Sequence, residues 1–151
     1  MAGRTATGAE ALRDWLSTAA AALEEVREPL DALNVFPVAD ADTGGNLAAT
    51  VRAGAEAAQL VGTSLLGELL GICAQHCLED ARGNSGTLLA VMLAGMAEPL
   101  AAVKRLSAPE LVAALDHARV RVTSALNDPV EGTIWTLSLI HISEPTRLRR
   151  I

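Results

Sequence analysis

Aromatic side chains are nearly absent from this sequence. The 151 residues include no tyrosine, one phenylalanine and two tryptophans, yet half of the chain is hydrophobic. Alanine and leucine dominate the apolar content, and both favour helices over strands. A chain of this length can bury one core. We therefore predict a single all-α domain.

Positive charge is also scarce. The net charge is −6, and the first 120 residues contain no basic cluster of the kind that nucleic acids and anionic membranes attract. No apolar run approaches the roughly 18 residues of a membrane span, and the N-terminus lacks the charged-then-apolar order of a signal peptide. We expect a cytoplasmic protein with no integral membrane segment and no nucleic-acid partner.

Cysteine occurs only twice, at Cys73 and Cys77. Their spacing in a predicted helix places two reduced thiols on one face. With His76 they form a Cys-x-x-His-Cys run that imitates half of a zinc site, but no second cluster completes four ligands. We interpret the cysteines as core residues, His76 as a boundary residue and His117 as a solvated side chain.

The sequence has no alternation of apolar and polar residues of the kind that predicts strands. Because no strand precedes a glycine-bearing loop, P-loop and Rossmann sites are excluded. Helical periodicity instead predicts five helices, with Pro29 bending or ending the first. Ser107 and Glu110 have the spacing of a capping box at the start of the last. The predicted helices span residues 9–30, 46–61, 65–79, 87–103 and 108–126.

Residues 34–46 read as a loop that carries Asp40 and Asp42, followed by two glycines and a helix. Carboxylates from such a turn can hold Mg²⁺ when nucleotide phosphates complete the coordination. The N-terminus of the following helix favours phosphate oxygens. Acidic turns before helices are also common as simple caps, so a capped turn is the alternative interpretation.

Residues 81–86 form a second glycine-bearing segment that opens a helix. Gly83 and Gly86 permit a close backbone approach, Ser85 can donate to phosphate oxygens, and Arg82 can pair with an anion. An ordinary capped turn again explains the segment by itself. Two such segments in one helical domain favour a shared anionic ligand.

These two segments also carry a family resemblance. Residues 33–44 (Leu-Asn-Val-Phe-Pro-Val-Ala-Asp-Ala-Asp-Thr-Gly) and residues 81–86 (Ala-Arg-Gly-Asn-Ser-Gly) resemble the signature loops of the DhaL-like nucleotide-binding domain of the dihydroxyacetone kinase superfamily. The closest likeness is to the domain that begins bacterial fatty acid kinases. Residues 129–134 (Pro-Val-Glu-Gly-Thr-Ile) resemble a third family segment.

The resemblance implies an antiparallel helical barrel that binds ATP or ADP with Mg²⁺ among the loops at one end. It makes Asp40 and Asp42 metal ligands and the catalytic residues. The dihydroxyacetone branch has a further aspartate near Asn34, so either Asn34 or Asp31 is a third candidate ligand. The residues expected to contact the nucleotide are Thr43, Gly44, Gly45, Asn46, Arg82, Gly83, Asn84, Ser85 and Gly86.

The chain departs from the family pattern at two places. Ala41 stands where glycine usually separates the two aspartates, and Gly45 replaces a threonine. If the middle residue needs a positive φ, Ala41 costs about 1 kcal/mol and distorts the turn. These departures put catalytic competence in question even where nucleotide binding survives.

Residues 137–147 resemble the translation of a sequencing adapter. We therefore expect residues 1–136 to be a domain truncated at its C-terminus and residues 137–151 to be a non-native tail. The alternative is a basic helical tail carrying Arg147, Arg149 and Arg150.

The resemblance implies an ATP-dependent kinase domain that is inactive alone. Its acceptor is expected to be a fatty acid carboxylate on a fatty-acid-binding partner protein. The alternatives are a dihydroxyacetone (glycerone) kinase subunit that works with a substrate-binding subunit, a non-catalytic nucleotide-binding regulatory module, and a helical interaction domain whose loops are only caps.

Overall fold

The computed structural model describes residues 8–33 and 40–126, and every regular element in these ranges is a helix. The described part contains no strand, so the all-α prediction is confirmed. None of its helices is long and apolar enough to cross a membrane. The helices are α1 (Ala9–Glu25), α2 (Arg27–Leu33), α3 (Thr43–Leu60), α4 (Leu66–Glu79), α5 (Gly83–Ala97) and α6 (Ala108–Ala125).

Helix α3 is the centre of the packing, because it contacts α1, α2, α4 and α5. Helix α4 lies between α3 and α5, and α6 packs mainly on α5. The start of α4 meets the end of α5, where the N–H groups of Leu66 and Gly67 donate to the carbonyls of Val103 and Leu100 at 2.8 and 3.0 Å. Buried residues of the core include Leu16, Leu69, Leu70, Cys73, Leu93 and Leu100.

The first predicted helix breaks earlier than its sequence suggested. α1 ends at Glu25, and α2 runs through Pro29 to Leu33. Proline has no N–H and its ring clashes with the carbonyl four residues earlier, which is that of Glu25. The break therefore falls just after Glu25, and Pro29 sits in the first turn of α2, where a missing N–H costs nothing.

Two other helices begin before their predicted starts. α3 begins at Thr43 instead of Asn46, and α5 at Gly83 instead of Thr87. The glycines of both motifs thus lie in first helical turns and not in loops. α5 also ends at Ala97, six residues before its predicted end, with Pro99 just beyond it.

His117 was expected to be solvated, and this prediction is wrong. Its Nδ1 donates to the carbonyl oxygen of Gly95 at 2.7 Å, and its Nε2 lies 3.4 Å from a carboxylate oxygen of Glu98. A residue at position 99 would normally donate its N–H to that carbonyl, but Pro99 has none. His117 on α6 therefore satisfies a carbonyl that the end of α5 leaves unpaired.

The capping-box prediction is confirmed at the start of α6. The Ser107 N–H donates to Oε2 of Glu110 at 2.7 Å. Hydrogen bonds from the hydroxyl and the backbone of Ser107 hold the pKa of Glu110 below its ordinary value. This reciprocal pair fixes where α6 begins.

Both cysteines are buried and reduced, as predicted. Burial and the neighbouring Cys77 raise the pKa of Cys73 to about 11, and burial also raises the pKa of Cys77. The side chain of His76 is exposed and lies 3.7 Å from Glu79. The thiols therefore belong to the core, on the face of α4 that packs against α3.

Arg13 was not singled out by the sequence, yet it connects α1 to the end of α3. Its Nε donates to the carbonyl oxygen of Ala58 at 2.9 Å, and its Nη2 donates to those of Val61 and Thr63 at 2.5 and 2.9 Å. The last carbonyls of a helix have no intrahelical donor and carry the negative end of the dipole. One guanidinium group therefore caps α3.

We predict that Arg13→Met lowers the free energy of unfolding by about 2 kcal/mol, because it keeps the aliphatic stem and removes three charge-assisted hydrogen bonds. Chemical denaturation measures the change. Arg119→Met is the matched control, since among the described residues the Arg119 side chain makes an exposed ion pair with Asp116. It should change stability by less than about 0.5 kcal/mol. Equal losses in the two variants would contradict the capping role.

We also predict that neither thiol reacts readily with iodoacetamide at pH 8 in the folded protein. Reaction needs a thiolate, and raised pKa values together with burial keep both groups protonated and inaccessible. Mass spectrometry with and without denaturant measures the labelling. Rapid alkylation of the native chain would contradict the prediction.

The raised pKa of Cys73 also makes the stability of the fold depend on pH. Because the folded pKa of Cys73 lies above its unfolded value, its contribution to stability is complete below about pH 8.5 and is lost as the pH rises toward about 11.

Candidate functional site

The two glycine-bearing motifs meet at one end of the described bundle. Gly83 has a φ of +62°, and a Cβ atom there would lie 2.7 Å from Nδ2 of Asn46. A Cβ atom at Gly86 would likewise lie too close to the hydroxyl oxygen of Thr50. That buried hydroxyl donates to the carbonyl oxygen of Asn46 at 2.8 Å. The first turns of α3 and α5 are therefore in direct contact, and any other residue at position 83 would be strained and would displace the Asn46 side chain.

Helix α2 is pressed against the same turn of α3. A Cβ atom at Gly44 would lie 2.3 Å from the carbonyl oxygen of Arg27 and 2.9 Å from Cβ of Leu30. Any side chain at position 44 would force the two helices apart. This close approach brings Asp31 to the start of α3, where its Oδ1 accepts the N–H of Gly45 at 3.0 Å.

A depression of about 390 Å³ opens where these three segments meet. Four carboxylates and three guanidinium groups surround it, so its side chains carry a net charge of about −1. Two of the guanidinium groups have exposed acidic neighbours, since Arg27 lies 3.5 Å from Glu24 and Arg52 lies 3.9 Å from Glu56. Its lining consists of Glu24, Arg27, Glu28, Asp31, Ala41, Asp42, Gly45, Asn46, Ala49, Arg52 and Arg82.

Asp42 occupies the N-cap position of α3 without acting as a cap. Its side chain makes no capping hydrogen bond, and the Gly45 N–H is taken by Asp31 instead. At α5 the N-cap residue is Arg82, whose guanidinium group has no acceptor atom and so cannot cap a helix. Neither N-cap residue therefore caps its own helix, and at α3 Asp31 provides a cap from another helix.

Ala41 adopts the positive φ that the sequence analysis identified as a risk. Its φ is +53°, and it is the one non-glycine residue with a positive φ in the described ranges. An L-amino acid in this region has its Cβ too close to the following carbonyl oxygen. The turn between Asp40 and Asp42 is thus strained by about 1 kcal/mol or more.

The predicted site residues divide into two groups. Asp42, Gly45, Asn46 and Arg82 line the depression. The others belong to the same two turns without lining it, and Asp40 among them is exposed. This second group consists of Asp40, Thr43, Gly44, Gly83, Asn84, Ser85 and Gly86.

Some predictions lie outside the described residues. These are the role of Asn34, the third family segment at residues 129–134 and the non-native tail at residues 137–151. Within residues 8–33 and 40–126, no group of three or more His, Cys, Asp or Glu side chains is arranged to hold a metal ion. Asp31, the other candidate ligand, reaches the depression.

Apart from Asp31, which was a candidate ligand, sequence reasoning missed the acidic and basic side chains that α1 and α2 contribute. Glu24, Arg27, Glu28 and Asp31 recur at spacings of three and four residues, which places them on one helical face across the break at Val26. A charged helical face of this kind is usually interpreted as solvent-exposed surface. Its proximity to Asp42 depends on the contact at Gly44, which spacing alone does not reveal.

Comparison with known proteins gives a consistent result. A family model described as the DAK2 domain matches residues 37–144. Protein YloV of Bacillus subtilis is 35% identical over 116 residues, which cover 77% of this chain and 21% of YloV. A protein of Staphylococcus saprophyticus is 34% identical over 109 residues, covering 72% of this chain and 20% of that protein. The chain spans about a fifth of the length of these relatives.

We predict that Ala41→Gly stabilises the protein by about 0.5–1 kcal/mol, because relief of the left-handed strain exceeds the entropy that an added glycine costs. Ala113→Gly is the matched control. Ala113 is exposed within α6, where glycine should cost about 1 kcal/mol. Denaturation midpoints measure both changes. Loss of stability in both variants would show that the turn at Ala41 is not strained in solution.

Proposed function

The chain belongs to the DAK2 domain family, and from that membership we propose that it is the Mg²⁺-ATP-binding domain of a kinase. The observation that supports this proposal best is the meeting of Asp42, Arg82 and the first turns of α3 and α5 around one depression. A magnesium nucleotide needs carboxylates for the metal and hydrogen-bond donors for its phosphates within a few ångströms of each other. Both kinds of group are present there.

Phosphate oxygens would bind at the first turns of α3 and α5. Neither turn has a side-chain cap from its own N-cap residue. Asp31 occupies the Gly45 N–H of α3, so the remaining first-turn N–H groups and the positive ends of the two dipoles would be available to the phosphates. Thr43 and Ser85 add hydroxyl donors in these turns, and Arg82 adds a charged one. These donors would hold the anionic oxygens as charge spreads over the transferred group.

The residues present fit a hard divalent cation. Asp42 supplies a carboxylate that caps no helix, Asp40 lies two residues away, and oxygen ligands are those that Mg²⁺ prefers. When bound, Mg²⁺ would draw charge from the β- and γ-phosphates. The described side chains are too few to hold such an ion alone, so we expect it to bind together with the nucleotide. The net negative charge of the lining agrees with this, since a polyphosphate without a cation would be repelled.

The phosphoryl acceptor would come from another domain or protein. The chain spans only about a fifth of its relatives, and the depression is lined by charged and small polar groups that would be used by the nucleotide. The motif residues 33–44 resemble those of fatty acid kinases, so we propose a fatty acid carboxylate on a fatty-acid-binding partner as the acceptor. A dihydroxyacetone-type acceptor on a substrate-binding subunit is the alternative.

A non-catalytic regulatory module is a second candidate function, and the positive φ of Ala41 favours it. A strained turn between Asp40 and Asp42 can hold a nucleotide while misplacing the metal for transfer. ATP turnover in the presence of an acceptor protein separates the two candidates. Binding of Mg²⁺-ADP without any turnover would favour the regulatory module.

We predict that Asp42→Asn weakens Mg²⁺-dependent ADP binding at least about tenfold, because it keeps the shape of the side chain and removes the charge that faces the cation. Isothermal titration calorimetry measures the affinity. The free energy of unfolding should change by less than about 0.5 kcal/mol, since Asp42 caps no helix.

Asp116→Asn is the matched control for losing one negative charge. Asp116 is exposed on α6 and contacts only Arg119 among the described charged groups. It should bind Mg²⁺-ADP as the parent does. If Asp42→Asn binds equally well, the site assignment is wrong. If the parent chain itself fails to bind, a helical interaction domain replaces the kinase proposal.

A further inference from the structure

The start of α3 is capped by a residue of another helix. Asp42 is the N-cap residue by position, and aspartate is among the best N-caps, yet its carboxylate makes no capping hydrogen bond. The N–H of Gly45, the third residue of α3, is bound by Oδ1 of Asp31 at 3.0 Å. The bond that an N-cap side chain normally makes is therefore made from α2.

We propose that Asp31 is a positioning residue, which takes over the capping of α3 and thereby leaves the Asp42 carboxylate available to the depression. A carboxylate bound to the N–H groups of its own helix is turned toward that helix and away from a ligand. With the Gly45 N–H already occupied, Asp42 is left with only one of the two N–H groups that an N-cap side chain ordinarily binds, that of Gly44, and it makes no capping bond to it. Asp31 thus acts on the ligand site through Asp42.

The backbone geometry explains why Asp31 can perform this role. The absence of a side chain at Gly44 lets α2 approach α3 so closely that a Cβ atom at position 44 would lie 2.3 Å from a carbonyl oxygen of α2 and 3.0 Å from Oδ1 of Asp31. Asp31 is half-buried in this contact, so its hydrogen bond is shielded from water. Helix α2, which follows the break at Val26, packs on α3.

This inference rests on the proposed function only in naming the ligand that Asp42 faces. The exchange of capping partners is a property of the protein without ligand. Two sets of measurements therefore keep the two ideas separate. The first uses no nucleotide, and the second uses Mg²⁺-ADP.

The first experiment measures hydrogen exchange at the Gly45 amide by NMR and thermal midpoints in a double-mutant cycle. Asp31→Ala should reduce the protection of the Gly45 amide to the level of an uncapped first helical turn. Asp31→Asn should retain the protection, because the asparagine side-chain oxygen still accepts the hydrogen bond from that amide. Asp42→Ala should lower the midpoint little in the parent and clearly more in the Asp31→Ala background, where Asp42 has become the cap. Equal effects in the two backgrounds would overturn the proposal.

The second experiment measures Mg²⁺-ADP binding by calorimetry. Asp31→Ala should weaken binding about tenfold, and Asp31→Asn should stay within about threefold of the parent. If Asp31→Asn binds as weakly as Asp31→Ala while the Gly45 amide remains protected, Asp31 acts through its charge on the cation and the positioning role is wrong. Unchanged binding in Asp31→Ala would also overturn it.

Two further outcomes are decided by the same data. If Asp31→Ala is too unstable to measure, the Asp31→Asn variant decides alone. A protected Gly45 amide with near-parental affinity for Mg²⁺-ADP supports the proposal, and a tenfold loss of that affinity contradicts it. If the parent chain does not bind Mg²⁺-ADP, the proposed function fails. The amide exchange and the double-mutant cycle then still decide whether Asp31 caps α3.

Discussion

Charged side chains from the preceding helices hold both ends of α3, and the rest of the described structure depends on this arrangement. Arg13 of α1 binds the carbonyls at its C-terminal end, and Asp31 of α2 binds an N–H at its start. A cation at the C-terminus and an anion at the N-terminus also match the helix dipole. Because α3 contacts four other helices, fixing its position fixes theirs.

The same arrangement produces the candidate site. Two helices begin side by side, and glycines at positions 44 and 83 allow their first turns to touch α2 and Asn46. Helix starts attract anions, while the acidic side chains that surround them repel anions. A ligand that satisfies both conditions carries phosphates together with a cation. This balance of charge is the physical basis for proposing a magnesium nucleotide in a DAK2 domain.

Strain and function are linked in the turn that joins Asp40 to Asp42. A left-handed conformation at Ala41 is costly for any residue with a Cβ, so its surroundings must impose it. On one side Asp42 leads into a helix anchored by α2. A turn held against its preference by its surroundings is typical of ligand sites.

Several structural features of this protein can be predicted from its sequence, because they depend on interactions between residues that are close together in the chain. Alanine and leucine at helical spacing determine the helices, and Ser107 and Glu110 determine where α6 begins. The motif at residues 40–46 identified Ala41 as the residue that would be strained if its φ were positive, and the structure shows that it is. Other features depend on contacts between segments distant in sequence. Asp31 bonds to Gly45, Arg13 to carbonyls more than 40 residues away, and His117 to the carbonyl that Pro99 leaves unpaired. No periodicity encodes such pairs, since each partner becomes available only after the helices have packed.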